Sequence, residues 1–208
     1  MKISALGVAL GVVICAGAAG ATTLFTDFGP GQTYNTTSGW FIGGSGTTTP
    51  DSIAAPFTPS VTATLDSLDL AVDVFAGTTS FTVEITADSS GTPGAVLESF
   101  SLTGITGTPT VRSLTSILHP SLSSLSTYWI AVFPGGTTTA GGWNWNSVGT
   151  TGFDFSSNGG STWSVDSSTT DARPAFDVIG TPTVPEPTTW VLLAAPLAAM
   201  LWFRRRRA

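Results

Sequence analysis

Apolar and polar residues alternate with a period of two through most of the interior of this chain, and that period belongs to strands rather than helices. The cleanest run is Ser80 to Ala87, where Phe81, Val83, Ile85 and Ala87 alternate with Thr82, Glu84 and Thr86. One face of such a strand meets a core and the other meets water. Leu65 to Phe75 behaves in the same way: Leu68, Leu70, Val72 and Val74 share one face, Asp69 and Asp73 the other. Further strands are expected at Trp40 to Ile42, Ile53 to Phe57, Val96 to Leu102, Thr110 to Leu114, Thr127 to Phe133, Gly152 to Ser156 and Pro174 to Ile179. Tyr128 to Phe133 is apolar on both faces, as a central strand covered twice would be. Turn signals separate these runs at Ser90 to Gly94, Gly104 to Pro109, Pro134 to Gly136 and Asn158 to Gly160. About nine short strands at this spacing predict an all-β domain, an antiparallel β-sandwich of jelly-roll type. A short helical turn is expected near Ser121 to Leu125, with other helix confined to the two ends of the chain.

Both ends break the period-two pattern. Met1-Lys2 and the apolar stretch Ile3 to Ile14, followed by Ala19-Gly20-Ala21, have the layout of a secretory signal peptide over residues 1–21. Cys15 is the only cysteine and lies within that leader, so the exported body has no disulfide to stabilise it. At the other end, residues 181–208 join Pro185-Glu186-Pro187, an apolar run and Arg204-Arg205-Arg206-Arg207. Trp190 to Phe203 falls short of the roughly 20 residues that cross a bilayer. Thr188 and Thr189 extend it to a span over residues 188–203, and snorkelling arginines shorten the distance to be covered. The arginine block is expected to stay cytoplasmic and leave everything before Pro185 outside. Residues 22–180 then form one exported domain, long enough to bury a single core.

The order of triplet, apolar run and arginines resembles the PEP-CTERM sorting signal of Gram-negative bacteria that make exopolysaccharide. That resemblance implies passage through the general secretion machinery, a transient membrane anchor, and processing by exosortase at Pro185, Glu186 and Pro187. It implies a final location at the cell surface, in the outer envelope or in the extracellular matrix. Softer motifs in the body are similar to choice-of-anchor domains that carry this signal. They are Ala55-Pro56-Phe57-Thr58-Pro59, Thr92-Pro93-Gly94 before Val96-Leu97, and Thr127-Tyr128-Trp129-Ile130. Ser156 to Ser164 and Arg173-Pro174-Ala175-Phe176-Asp177-Val178 complete the set. They imply a fold and a style of anchoring rather than an activity.

Charge narrows the functional classes. Between leader and tail only Arg112 and Arg173 are basic, against twelve acids once Glu186 is set aside, a formal charge of −10. Nucleic acid is therefore not expected as a partner, because phosphate contacts need Lys and Arg. The single histidine, His119, sits in a loop before Pro120, and no Gly-x-Ser-x-Gly elbow is present. No catalytic residue, metal site or cofactor is assigned. Asp69 and Asp73 lie about 13 Å apart along a strand, too far to share an ion, and read as a solvated face together with Asp66.

The aromatics carry the remaining chemistry. Trp143-Asn144-Trp145-Asn146 places two indoles on one side of a strand and two amides on the other, with Trp163 following. Indoles beside amides suit sugar recognition, by stacking and hydroxyl hydrogen bonds. The same alternation equally suits tryptophans packed into the core. The first functional expectation is an exported structural or adhesive protein of exopolysaccharide or biofilm, not an enzyme. The alternative is a carbohydrate-binding module using Trp143, Asn144, Trp145, Asn146 and Trp163, and the third is a polysaccharide hydrolase.

Overall fold

The computed structural model describes residues 20–166 and 170–183. The leader through Ala19 and the sorting segment from Val184 onward, with Pro185, Glu186, Pro187, the 188–203 span and the arginine block, lie outside the described residues. The described chain is all-β, and every strand pairing is antiparallel. In chain order the strands are β1 (Thr22–Thr26), β2 (Tyr34–Gly43), β3 (Ser52–Phe57), β4 (Ala63–Ala76), β5 (Ser80–Asp88), β6 (Pro93–Thr103) and β7 (Thr110–Thr115). They continue with β8 (Ser121–Leu122), β9 (Tyr128–Pro134), β10 (Ala140–Asn146), β11 (Asp154–Ser156), β12 (Ser164–Val165) and β13 (Phe176–Pro182).

Two sheets form. The first has seven strands, in the order β1-β13-β4-β10-β2, with β7 and β8 also paired to β4. The second has six, in the order β12-β11-β3-β9-β5-β6. The inward residues of both sheets join one core: Leu68, Leu70, Val72 and Val74 from β4 meet Phe81, Val83 and Ile85 from β5 and Ile130 and Val132 from β9. The β4 and β5 positions were legible from the period-two pattern, whereas β9, apolar on both faces, left open which of its residues face this core. Four rings link the sheets: Phe176 stacks on Phe25 at 5.0 Å and lies 5.7 Å from Trp143 and 6.1 Å from Phe57. Such ring pairs each add about 0.5–1.5 kcal/mol beyond the area they bury.

Of the turn expected near Ser121 to Leu125, only Ser124–Leu125 forms one, closed by the Ser126 N–H on the Ser123 carbonyl at 3.2 Å, whereas Ser121–Leu122 pairs with Ala63 and Thr64 as β8. The reason is burial: as a strand it drives Leu122 fully into the core, while the Pro120 carbonyl accepts the Leu65 N–H at 3.0 Å. The acidic face of β4 is also not the solvated face expected. Asp69 stands opposite Asp177 on β13, and both are buried beneath residues 27–35. There Gln32 donates its side-chain amide to both carboxylates, at 2.9 and 3.4 Å. Phe28 and Tyr34 pack edge to face on the same side, over Ala71 and Ala175.

One ion pair sits where several segments meet. Asp27 is 0% exposed, and its carboxylate accepts from Thr150 Oγ1 at 2.7 Å and faces Arg173 Nη1 at 3.6 Å. The Arg173 guanidinium also donates to the carbonyls of Gly152 (3.0 Å), Thr151 (3.0 Å) and Pro56 (2.9 Å), and its Cζ lies 6.0 Å from the Phe25 ring centre. A planar fork of five donors suits this task, and lysine would not reproduce it. Removing one member of such a pair strands the other in the interior and costs about 3–5 kcal/mol. Arg173→Met should therefore lower the urea midpoint of the purified protein sharply. Adding Asp27→Asn should recover part of the loss, which a double-mutant cycle measures.

Candidate functional site

The structure does not gather the five expected sugar-binding residues onto one surface. On β10, Trp143 is 0% exposed; its Nε1 donates to the Ala175 carbonyl at 2.9 Å and its ring packs in the core. Trp145 lies against Trp40 with ring centres 5.4 Å apart, and Trp40 continues to Phe153 at 4.3 Å. Asn146 closes the following loop. Its Oδ1 accepts the N–H groups of Val148, Gly149 and Thr150 at 2.8–3.2 Å, and its Nδ2 donates to the Thr150 and Arg173 carbonyls. The alternation of indoles and amides is real, but Trp143 takes the packing role and Asn146 the loop-holding role.

Asn144 is the member of this run that faces a groove. It lies on the outer face of the first sheet in a depression of about 340 Å³, with Asp73, Phe41, Phe75 and the backbone of Gly142. Asn144 is 3% exposed and its Oδ1 has no protein partner. Phe41 and Phe75 pair at 6.1 Å, and Phe75 is 59% exposed.

Trp163 belongs to the other sheet. In the stretch between β11 and β12 it meets Phe133 of β9 at 5.9 Å with the rings inclined by 65°. Together with Trp129, Ala131 and Ala54 these rings form a small apolar cluster on the outer face of the second sheet. A groove of about 500 Å³ runs beside them, lined by Thr82, Glu84 and Thr86 of β5 and by Phe133, Gly160 and Trp163. This lies within the roughly 300–1,000 Å³ typical of ligand sites. Gly160 has φ +86°, and a Cβ there would meet Phe133 Cε1 at 2.7 Å, so glycine both makes the turn and lets the loop close on the ring. Thr86 is 2% exposed, and its Oγ1 has no protein partner. Asp88, at the end of β5, accepts from Trp129 Nε1 at 2.8 Å and from the Gly91 N–H at 3.1 Å.

Sequence reasoning had placed Thr82, Glu84 and Thr86 on one face but had not connected them with Phe133 and Trp163. The available signal was β9, apolar on both faces, which announced that something covers its outer side.

His119 has φ +47°, with Nδ1 2.9 Å from the Leu65 carbonyl and 3.8 Å from Asp66 Oδ1. Among the described residues no group of three or more His, Cys, Asp or Glu side chains is arranged to hold a metal ion. Comparison with family models, with characterised proteins and with solved structures finds no match for the chain.

The carboxyls divide by environment. Burial pushes Asp51 up to about 6, against the N–H groups of Ser52 and Ser156, which favour its charged form. Burial, then the charge of Asp88, raises Asp154 to about 6 as well. Burial also raises Asp27, Asp73, Glu84 and Asp177. Glu98 moves the other way: burial raises it, but hydrogen bonds from Ser116 Oγ (2.6 Å) and from the Ile117 and Leu118 N–H groups (2.6 and 3.1 Å) together lower it.

A carboxyl whose folded pKa lies above its unfolded value of about 3.9 binds protons in the folded state that the unfolded chain does not hold. Stability should therefore rise as pH falls from 7 through about 6, toward about 4. Below that the Glu98 contribution is lost as this carboxylate protonates in its turn. Thermal melting should give a higher midpoint at pH 5 than at pH 7, and Asp154→Asn should flatten that difference.

Proposed function

We propose that this chain is an exported protein of the cell envelope or extracellular matrix, with a structural or adhesive role in exopolysaccharide or biofilm rather than an enzymatic one. The observation that carries the reading is the C-terminal order of Pro185-Glu186-Pro187, apolar run and four arginines, which resembles the PEP-CTERM signal. On this proposal the secretion machinery exports the body, residues 188–203 hold it in the membrane with Arg204, Arg205, Arg206 and Arg207 inside, and exosortase acts near the triplet. The body is then a jelly-roll-like sandwich, with a signal-peptide helix before it and a membrane helix after it.

The position of the last strand supports the proposal. Thr22 of β1 stands opposite Gly180 of β13, and Pro182 stands opposite Ala63 of β4, with Thr183 still bonding the Thr62 carbonyl. A cut near Pro185 would therefore leave every pairing among the described strands in the released body. It would also separate the four arginines from a body with twelve acids and two bases. Such a body is suited to a hydrated, uncharged or cation-rich matrix and unsuited to phosphate-rich partners.

Deleting residues 185–208 should convert an envelope-associated protein into one recovered from the periplasm or the medium. Unchanged envelope fractionation of the deletion would overturn the proposal. Intact mass from cells with and without the sorting protease should differ by the residues beyond the triplet. Equal masses would remove exosortase from the scheme.

A further inference from the structure

The groove on the outer face of the second sheet is not used by the sorting proposal and does not rest on it. We propose that this groove binds a neutral oligosaccharide, with Trp163 and Phe133 contacting the apolar face of a sugar ring and Thr82, Glu84 and Thr86 bonding its hydroxyls. Three observations carry this.

The first is the coincidence of aromatic and polar groups. Trp163 and Phe133 sit 5.9 Å apart beside a β5 row that presents hydroxyl, carboxylate and hydroxyl on alternate residues. Sugars offer the matching surface, with C–H patches that suit aromatic planes and a rim of hydroxyls that both donate and accept. The second is Thr86, a lining residue of the groove whose hydroxyl is buried and lacks a protein partner. An interior hydroxyl left in that state is costly, and a ligand hydroxyl would satisfy it.

The third is what the groove lacks. No Lys or Arg lines it, Glu84 does, and the body around it is acidic, so phosphorylated, sulfated and uronic-acid ligands are repelled. The β5 floor of the groove offers no free backbone to an extended peptide, because β5 is already bonded to β6 on one side and β9 on the other. Its side chains favour a ligand recognised by stacking and hydroxyl bonds.

Titration calorimetry tests this on the full-length protein, held in a detergent without a sugar headgroup. The probes are soluble neutral hexasaccharides of glucose, mannose, galactose and N-acetylglucosamine, with polygalacturonate as the acidic comparison. At least one neutral hexasaccharide should bind. Trp163→Ala should weaken it about tenfold, and Thr86→Val, which keeps the shape and removes the hydroxyl, about fivefold. Phe75→Ala, in the groove of the opposite sheet, should leave the affinity unchanged. If Trp163→Ala melts, the Thr86→Val result decides. No binding of any neutral hexasaccharide at millimolar concentration would overturn the proposal. So would tighter binding of polygalacturonate, unchanged affinity in Thr86→Val, or loss of affinity in Phe75→Ala.

Discussion

The guanidinium of Arg173 is the contact on which this architecture turns. It neutralises Asp27 at the end of β1, holds the Pro56 carbonyl of β3, and fixes the carbonyls of Thr151 and Gly152 ahead of β11. The residues around it continue the junction: the Arg173 carbonyl accepts from Asn146, and Ala175 exchanges bonds with Asn144 and Trp143. One side chain thus ties strands of both sheets to the start of β13. Between Leu24 and Thr183 only Arg112 offers a second guanidinium, and its donors are occupied by the carbonyls of Thr103 and Gly104. Cys15 is the single cysteine of the chain, so no disulfide within the chain substitutes for this crossing point.

The outer face of the second sheet is set by strand pairing. In the stretch between β11 and β12, Trp163 directly precedes β12, whose pairing with β11, Ser164 opposite Phe155 and Val165 opposite Asp154, places its ring beside Phe133. Within the stretch, Asn158 and Ser156 hold the turn, Ser156 Oγ accepting the Gly160 N–H at 2.8 Å and Asn158 bonding Thr162. The loop is positioned by the β11–β12 pairing and shaped by Gly160.

The acids show how far burial is carried in a body with little positive charge. Asp27, Asp69, Asp154, Asp177 and Glu98 are all buried, and only Asp27 has an arginine. The others are managed by amide and hydroxyl donors, as with Gln32 between Asp69 and Asp177, or by a preference for the protonated form. Burial favours the protonated form of Asp27, Asp154 and Asp177, whereas Glu98 is held charged by its three hydrogen-bond donors.

The sequence by itself determined the strands with a clear period of two and their inward residues. Phe81, Val83 and Ile85 could only face a core, because a strand repeats every two residues and no polar partner would follow them inside. It also determined that β9 is covered on both faces. What it did not reveal were β1, where only Leu24 is buried, the two-residue strands β8 and β12, too brief for any period to register, and the covering of the β4 acids by Gln32 and Tyr34. Nor did it decide between the two uses of Trp143 and Trp145, since alternation states which side chains share a face but not whether that face meets core or solvent. Tertiary structure settled that choice for Trp143 by placing Phe176 and the Ala175 carbonyl beside it. It brought Trp163 to Phe133 across some thirty residues of sequence, a distance over which local pattern carries no information and only the packing of separate strands does.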